Sequence, residues 1–197
     1  MAVRPVSGAN LTIPNIITLA RILLTPLFII FLIQGRYRKA LAIFILAGVS
    51  DLVDGLIART MHQKSRLGTY LDPMADKILM SASFVTLSIY GQVPSWLTVV
   101  VISRDLTLAL GVMLFKLADY PLVIKPSLAG KLSTTMQMAT VLLVLVGKIW
   151  VVPALLLPAF FWLTGGLSAL SGIHYVYGGL RQVSLSSGPG AGEGGHG

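Results

Sequence analysis

The sequence predicts an all-α polytopic membrane protein with about six transmembrane helices, and three observations carry that reading. Hydrophobic residues make up 55% of the 197 positions and mean hydropathy is +0.83, above the roughly 45–50% apolar content usual in soluble domains. The excess is gathered into runs of about 20 residues, long enough as helices to cross a bilayer core of roughly 30 Å. Charged residues are only 11% of the chain, and they fall mostly at the ends of those runs. The formal net charge of +8 raises nucleic acid as a partner, but the 15 Lys and Arg are scattered along the chain. That scatter fits anionic lipid head groups and phosphorylated substrates, and no nucleic-acid partner is expected. Cysteine is absent, which excludes a disulfide framework and a thiolate metal site.

Residues 1–13 read as a short lead-in, 14–180 as one membrane domain, and 181–197 as a Gly- and Ser-rich tail without ordered structure. The first span, about Pro14 to Ile33, follows a short basic start. It carries Arg21 and lacks a small-residue cleavage site, so it is read as a membrane helix and not as a signal peptide. Asn15, Thr18 and Arg21 recur every three residues and so lie near one face. Two readings of them stand side by side: Asn15 caps the helix while Arg21 snorkels to the head groups, or the face borders a substrate.

A basic loop, Gln34 to Lys39, leads to a second span from Ala40 to Arg59, and a polar loop to a third from Gly68 to Tyr90. A fourth runs from Pro94 to Leu117 with Arg104 and Asp105 inside it, a fifth from Leu128 to Val146, and a sixth from Pro153 to Leu180. Six spans put both ends of the chain on one side. That side collects Arg4, Arg59, Lys64, Arg66, Lys116, Lys125, Lys131 and Arg181, against Arg36, Arg38, Lys39 and Lys148 opposite. The excess favours a cytoplasmic placement for both termini. His174 and His196 are expected to be solvated or packed rather than metal-binding.

The chemistry concentrates between Asp51 and Asp76. The chain has seven Asp and Glu, and four of them, Asp51, Asp54, Asp72 and Asp76, fall in this one stretch between apolar runs. Ionised groups near membrane depth cost several kcal/mol unless paired, hydrated or bound to metal. At 100° per residue, Asp51, Asp54, Gly55 and Ala58 share an arc of roughly 100° on one helix, and Asp72 and Asp76 stack on the next. The intervening loop is short, so the two helices are expected to be antiparallel neighbours with converging carboxylates. Such a set is a hard oxygen site suited to Mg²⁺ or Mn²⁺, two of which would clamp a phosphate for in-line displacement. Gly55 and Ala58 clear a floor for a nucleotide or pyrophosphate, and Arg59 can meet a phosphate with forked hydrogen bonds. The competing readings are an ion network with Arg59, Lys64, Arg66 and Lys77, and an ion-coupled transporter. The transporter predicts broken helices and a repeated half.

Asp51, Asp54, Gly55, Ala58, Arg59, Gly68, Asp72 and Asp76 spell D-x2-D-G-x2-A-R-x8-G-x3-D-x3-D. In this the chain resembles the CDP-alcohol phosphatidyltransferases over roughly residues 11–180, including N-x2-T-x2-R at Asn15, Thr18 and Arg21. The resemblance implies a six-helix membrane enzyme that moves a phosphatidyl group from CDP-diacylglycerol to an alcohol and releases CMP. It implies Asp51, Asp54, Asp72 and Asp76 as metal ligands, with Asp76 also the base. Gly55, Ala58, Arg59 and Gly68, with Asn15 and Thr18, would contact the CDP moiety. TIPNIITLAR, DPMADKIL and GKLSTTMQM look like the phosphatidylglycerophosphate synthases, whose acceptor is glycerol 3-phosphate. VVISRDLTLALG and IKPSLAGK look like the eukaryotic-type cardiolipin synthases, which use phosphatidylglycerol. Either acceptor carries a second phosphate, for which Arg104, Lys125 and Lys131 are the candidates. A homodimer in a bacterial inner membrane, with its active site on the cytoplasmic side, is the remaining expectation.

Overall fold

A computed structural model of the chain describes residues 13–60, 66–117 and 128–186, and among these every regular element is helical. The six helices are α1 (Ile13–Ile33), α2 (Tyr37–Thr60), α3 (Arg66–Ile89), α4 (Ser95–Leu117), α5 (Leu128–Gly147) and α6 (Leu156–Ser186). Each corresponds to one apolar run of the sequence. α1 passes through Pro26 without ending, as membrane helices permit. It begins at Ile13, which places Asn15 inside the helix instead of at its cap.

Two boundaries differ from expectation for local reasons. α2 begins at Tyr37, taking Arg38 and Lys39 out of the loop, because a tight glycine turn ends α1. Gly35 has φ 64°, its N–H donates to Leu32 O (3.0 Å), and the Arg36 N–H donates to Phe31 O (2.9 Å). That pairing closes a helix with a left-handed residue just past its end, where glycine is the unstrained choice. The same device ends α3 at Gly91, with φ 64° and the Gln92 N–H on Leu87 O at 2.8 Å. α6 continues past Leu180 to Ser186, because Arg181, Gln182 and Leu185 are adequate helix formers and no proline intervenes. Residues 187–197 lie outside the described set.

The helices divide into two groups of three. α1 packs along both α2 and α3, and α6 packs along both α4 and α5. Contacts between the groups are sparser and run through α3 with α4 and α5, and through α2 with α5. The expected pairing of α2 with α3 concerns their carboxylate-bearing ends, residues 51–73, whose side chains lie outside the described set. α1 stands against both: Phe28, fully buried, meets Phe44 of α2 at 5.7 Å between ring centroids and shares a core with Phe84 and Leu87 of α3. The core continues through Leu97 and Val101 of α4 and Val141, Val144 and Leu145 of α5.

The outer surface is apolar and the interior carries the polar groups. Leu23, Ile89, Leu114, Trp162 and Ile173 face outward, while Arg21, Arg104, Asp105, Gln137, Thr140, Thr164 and Ser168 are buried. This distribution suits a lipid solvent, where side-chain hydrogen bonds between helices replace water. Ser133 Oγ meets Ser168 Oγ at 3.0 Å, Gln137 Nε2 donates to Ser168 Oγ at 3.2 Å, and the Thr140 and Thr164 hydroxyls pair at 2.7 Å. Together they form a polar seam between α5 and α6. Among the described residues, Ser95–Leu114, Leu128–Gly147 and Leu156–Gly179 are long and apolar enough to cross a bilayer, and Leu19–Ile33 is a shorter apolar stretch. The chain is a polytopic, all-α membrane protein.

Candidate active site

α2 and α3 carry the carboxylate stretch. Asp51 and Asp54 lie on α2 with Gly55, Ala58 and Arg59, and Asp72 and Asp76 lie on α3 with Gly68. Both stretches are helical, so the spacings of three and four place each carboxylate pair on one helix face. The side chains of residues 51–73 lie outside the described set, as do those of Asn15 and Thr18. Asp76 is described, and it has a specific partner.

Arg21 of α1 donates from Nη1 to Asp76 Oδ1 at 3.0 Å. Arg21 is 1% exposed, so the geometry decides against snorkelling. A guanidinium this deep is costly to bury without a counter-charge, and Asp76 supplies one. The Asp76 side chain remains 40% exposed, so the carboxylate held by Arg21 is partly accessible. The Thr25 hydroxyl donates to Arg21 O at 3.0 Å, one turn back in α1.

A second charged cluster begins one residue along α3. Lys77 Nζ forms an ion pair with Asp105 Oδ1 of α4. Arg104 Nη1 donates to the same oxygen at 2.8 Å. The rest of the Arg104 guanidinium reaches across the bundle, with Nε and Nη2 donating to Ser171 Oγ of α6 at 3.3 and 3.0 Å and Nη2 to Gly130 O of α5 at 3.3 Å. Arg104, expected as a phosphate ligand, is therefore also the tie that joins α4 to α5 and α6. Lys131 follows Gly130 directly and is exposed, and Lys125 lies outside the described residues.

The structure thus brings Arg21, Asp76, Lys77, Arg104, Asp105 and Gly130 into two adjoining networks centred on consecutive residues of α3. The sequence singles out Asp76 and Arg104 but not the Arg21–Asp76 pair, whose members stand 55 positions apart. Its one signal was a charge inside the first apolar run. Ser171 gave no signal, being one small residue among several in α6.

The donor set suits a divalent cation on its chemistry: four carboxylates at helical spacing, no cysteine in the chain, and one member with an accessible face. Hard oxygen donors of this kind favour Mg²⁺ or Mn²⁺.

Comparison with known proteins places the chain. Residues 11–170 match the family described as CDP-alcohol phosphatidyltransferase. A Drosophila melanogaster protein named "Probable cardiolipin synthase (CMP-forming)" is 32% identical over 84% of this chain and 57% of its own length. The Homo sapiens "Cardiolipin synthase (CMP-forming)" is 32% identical over 88% of this chain and 64% of its own. The chain therefore spans under two thirds of these relatives. A Mycobacterium tuberculosis "Probable phosphatidylglycerophosphate synthase" is 34% identical over 89% of this chain and 84% of its own length. By its matched residues and its helical architecture, the chain belongs to the CDP-alcohol phosphatidyltransferase family.

Proposed function

We propose that this protein transfers a phosphatidyl group from CDP-diacylglycerol to the hydroxyl of glycerol 3-phosphate and releases CMP. The observation that carries the reading is an accessible carboxylate, Asp76, held by a buried guanidinium at the end of a four-carboxylate motif. Asp76 accepts the proton of the acceptor hydroxyl as its oxygen attacks the phosphorus attached to diacylglycerol. The bond from that phosphorus to the CMP oxygen breaks, and CMP departs with the electron pair. Asp51, Asp54, Asp72 and Asp76 would hold two Mg²⁺ or Mn²⁺ ions by the carboxylate number, which would supply charge neutralisation at the phosphates. Gly55, Ala58 and Gly68, with Asn15 and Thr18, form the CDP floor, and Arg59 binds a phosphate of CDP. Arg104, Lys125 and Lys131 provide positive charge for the acceptor's phosphate.

Phosphatidylglycerol is the second acceptor to test, because relatives named cardiolipin synthase match this chain about as well as the bacterial synthase does. The protein works as a homodimer in the bilayer of a bacterial inner membrane, with the carboxylates toward the cytoplasm. A transporter would have discontinuous helices, whereas the described helices are continuous.

The test supplies purified protein with CDP-diacylglycerol, Mg²⁺ or Mn²⁺, and each acceptor separately. CMP release with glycerol 3-phosphate, lost on chelation and restored by the ion, is the expected result. Release with phosphatidylglycerol alone would transfer the assignment to the second acceptor. Activity that persists without any divalent ion would overturn the metal assignment.

A further inference from the structure

The Lys77–Asp105–Arg104 cluster joins the two helix groups. α1 to α3 carry the carboxylate motif, α4 to α6 carry Arg104 and Lys131, and contacts between the groups are sparse. Among the described residues, the charged link across that division is Lys77 on Asp105. One carboxylate oxygen, Oδ1, takes both Lys77 Nζ and Arg104 Nη1, so two cations from different helices are drawn to a single point. Asp105 is buried, and its Oδ2 has no hydrogen-bond partner among the described residues.

The two cations differ in what they have left to give. Arg104 is 5% exposed on its side chain and is spent on Asp105, Ser171 and Gly130. Lys77 is 43% exposed on its side chain, and an ammonium has three donors, of which Asp105 uses one. Lys77 also directly follows Asp76. The two side chains diverge by about 100° around α3, Asp76 toward Arg21 of α1 and Lys77 toward Asp105 of α4. An anion lying between those two sides of the helix would find Lys77 with N–H groups to spare, backed by the Arg104 charge.

We infer that Lys77 contacts the phosphate of the acceptor, and that Asp105 is a positioning residue which holds Lys77 and Arg104 together across the division between the helix groups. The inference rests on the transfer reading above and deepens it by naming the acceptor's ligand. Without Asp105 the two cations would repel, and Lys77 would swing away from the site on its flexible stem.

The experiment compares the full chain with Lys77→Gln, Asp105→Asn and the double variant. For each it measures KM for glycerol 3-phosphate, KM for CDP-diacylglycerol, calorimetric binding of glycerol 3-phosphate in detergent, and the melting temperature. Each single variant should weaken glycerol 3-phosphate by on the order of tenfold, in KM and in binding alike, and leave KM for CDP-diacylglycerol nearly unchanged. The double variant should be no worse than the weaker single, because both changes remove one arrangement. Multiplying effects, an equal rise in both KM values, or a change in melting temperature alone would overturn the proposal. Lys77 is half-exposed, so its variant reports even where Asp105→Asn folds poorly. Wild-type protein that binds glycerol 3-phosphate but releases no CMP would count against the transfer reading alone. Wild-type turnover with unchanged acceptor affinity in Lys77→Gln would count against this inference alone.

Discussion

Arg21→Gln is the perturbation whose consequence follows most directly from the geometry. It removes the charge that orients Asp76 and keeps a neutral side chain able to hydrogen-bond in the same buried place. Losing one partner of a buried ion pair costs about 3–5 kcal/mol. Here Asp76 is 40% exposed on its side chain, and water replaces part of the lost interaction, leaving about 2 kcal/mol. Because that interaction orients the proton acceptor, the loss falls on the transition state and should lower turnover about 30-fold. Stability should change little, since the variant also relieves the burial of a guanidinium. The assay is CMP release at saturating CDP-diacylglycerol and acceptor, alongside a melting curve followed by tryptophan fluorescence. Arg21→Lys restores the charge without the planar fork and should fall between the two. Full turnover in Arg21→Gln would show that Asp76 needs no such support and would refute the reasoning.

Other expectations concern the scaffold. Gly91→Ala forces a left-handed backbone (φ 64°) on an alanine, which should cost about 1 kcal/mol and lower the melting temperature without altering turnover. Thr140→Val breaks the 2.7 Å hydroxyl pair with Thr164 between α5 and α6. A loss of about 0.6 kcal/mol is expected, as for other hydrogen bonds between membrane helices. The double variant with Thr164→Val should cost somewhat more, because the Thr164 hydroxyl also donates to Met136 O at 3.4 Å, and a denaturation series in detergent checks both.

The fold was legible because each helix is one apolar run, and α1, α3, α4 and α5 match their runs to within a few residues. Where it was not, short-range chemistry intervened. The Gly35 turn shortened the first loop, and the Arg181–Leu185 stretch propagated α6 into what composition marked as tail. The carboxylates were legible because four charges in an apolar chain are conspicuous and their spacing is helical. Their relation across helices was not. The short loop between Thr60 and Arg66 suggested that α2 and α3 meet at their carboxylate-bearing ends, which lie outside the described side chains, while α1 packs along both helices. The Arg104 side chain shows the same limit, since a charge in a membrane helix announces a polar partner without naming it. Its partners, Asp105, Ser171 and Gly130, come from three helices. Only tertiary packing puts them within one guanidinium's reach.

The most direct test of the central claim is the Asp76→Asn variant. The substitution keeps size and a hydrogen-bonding oxygen for Arg21 but cannot accept the acceptor hydroxyl's proton. CDP-diacylglycerol binding and the melting temperature are measured beside CMP release. The account predicts that CDP-diacylglycerol binding persists and the protein still folds, with a lowered melting temperature because Arg21 loses its counter-charge, while turnover falls by at least about 100-fold, the contribution expected of a general base. Turnover near the wild-type level would contradict it, and Asp76 would then be a partner of Arg21 and nothing more.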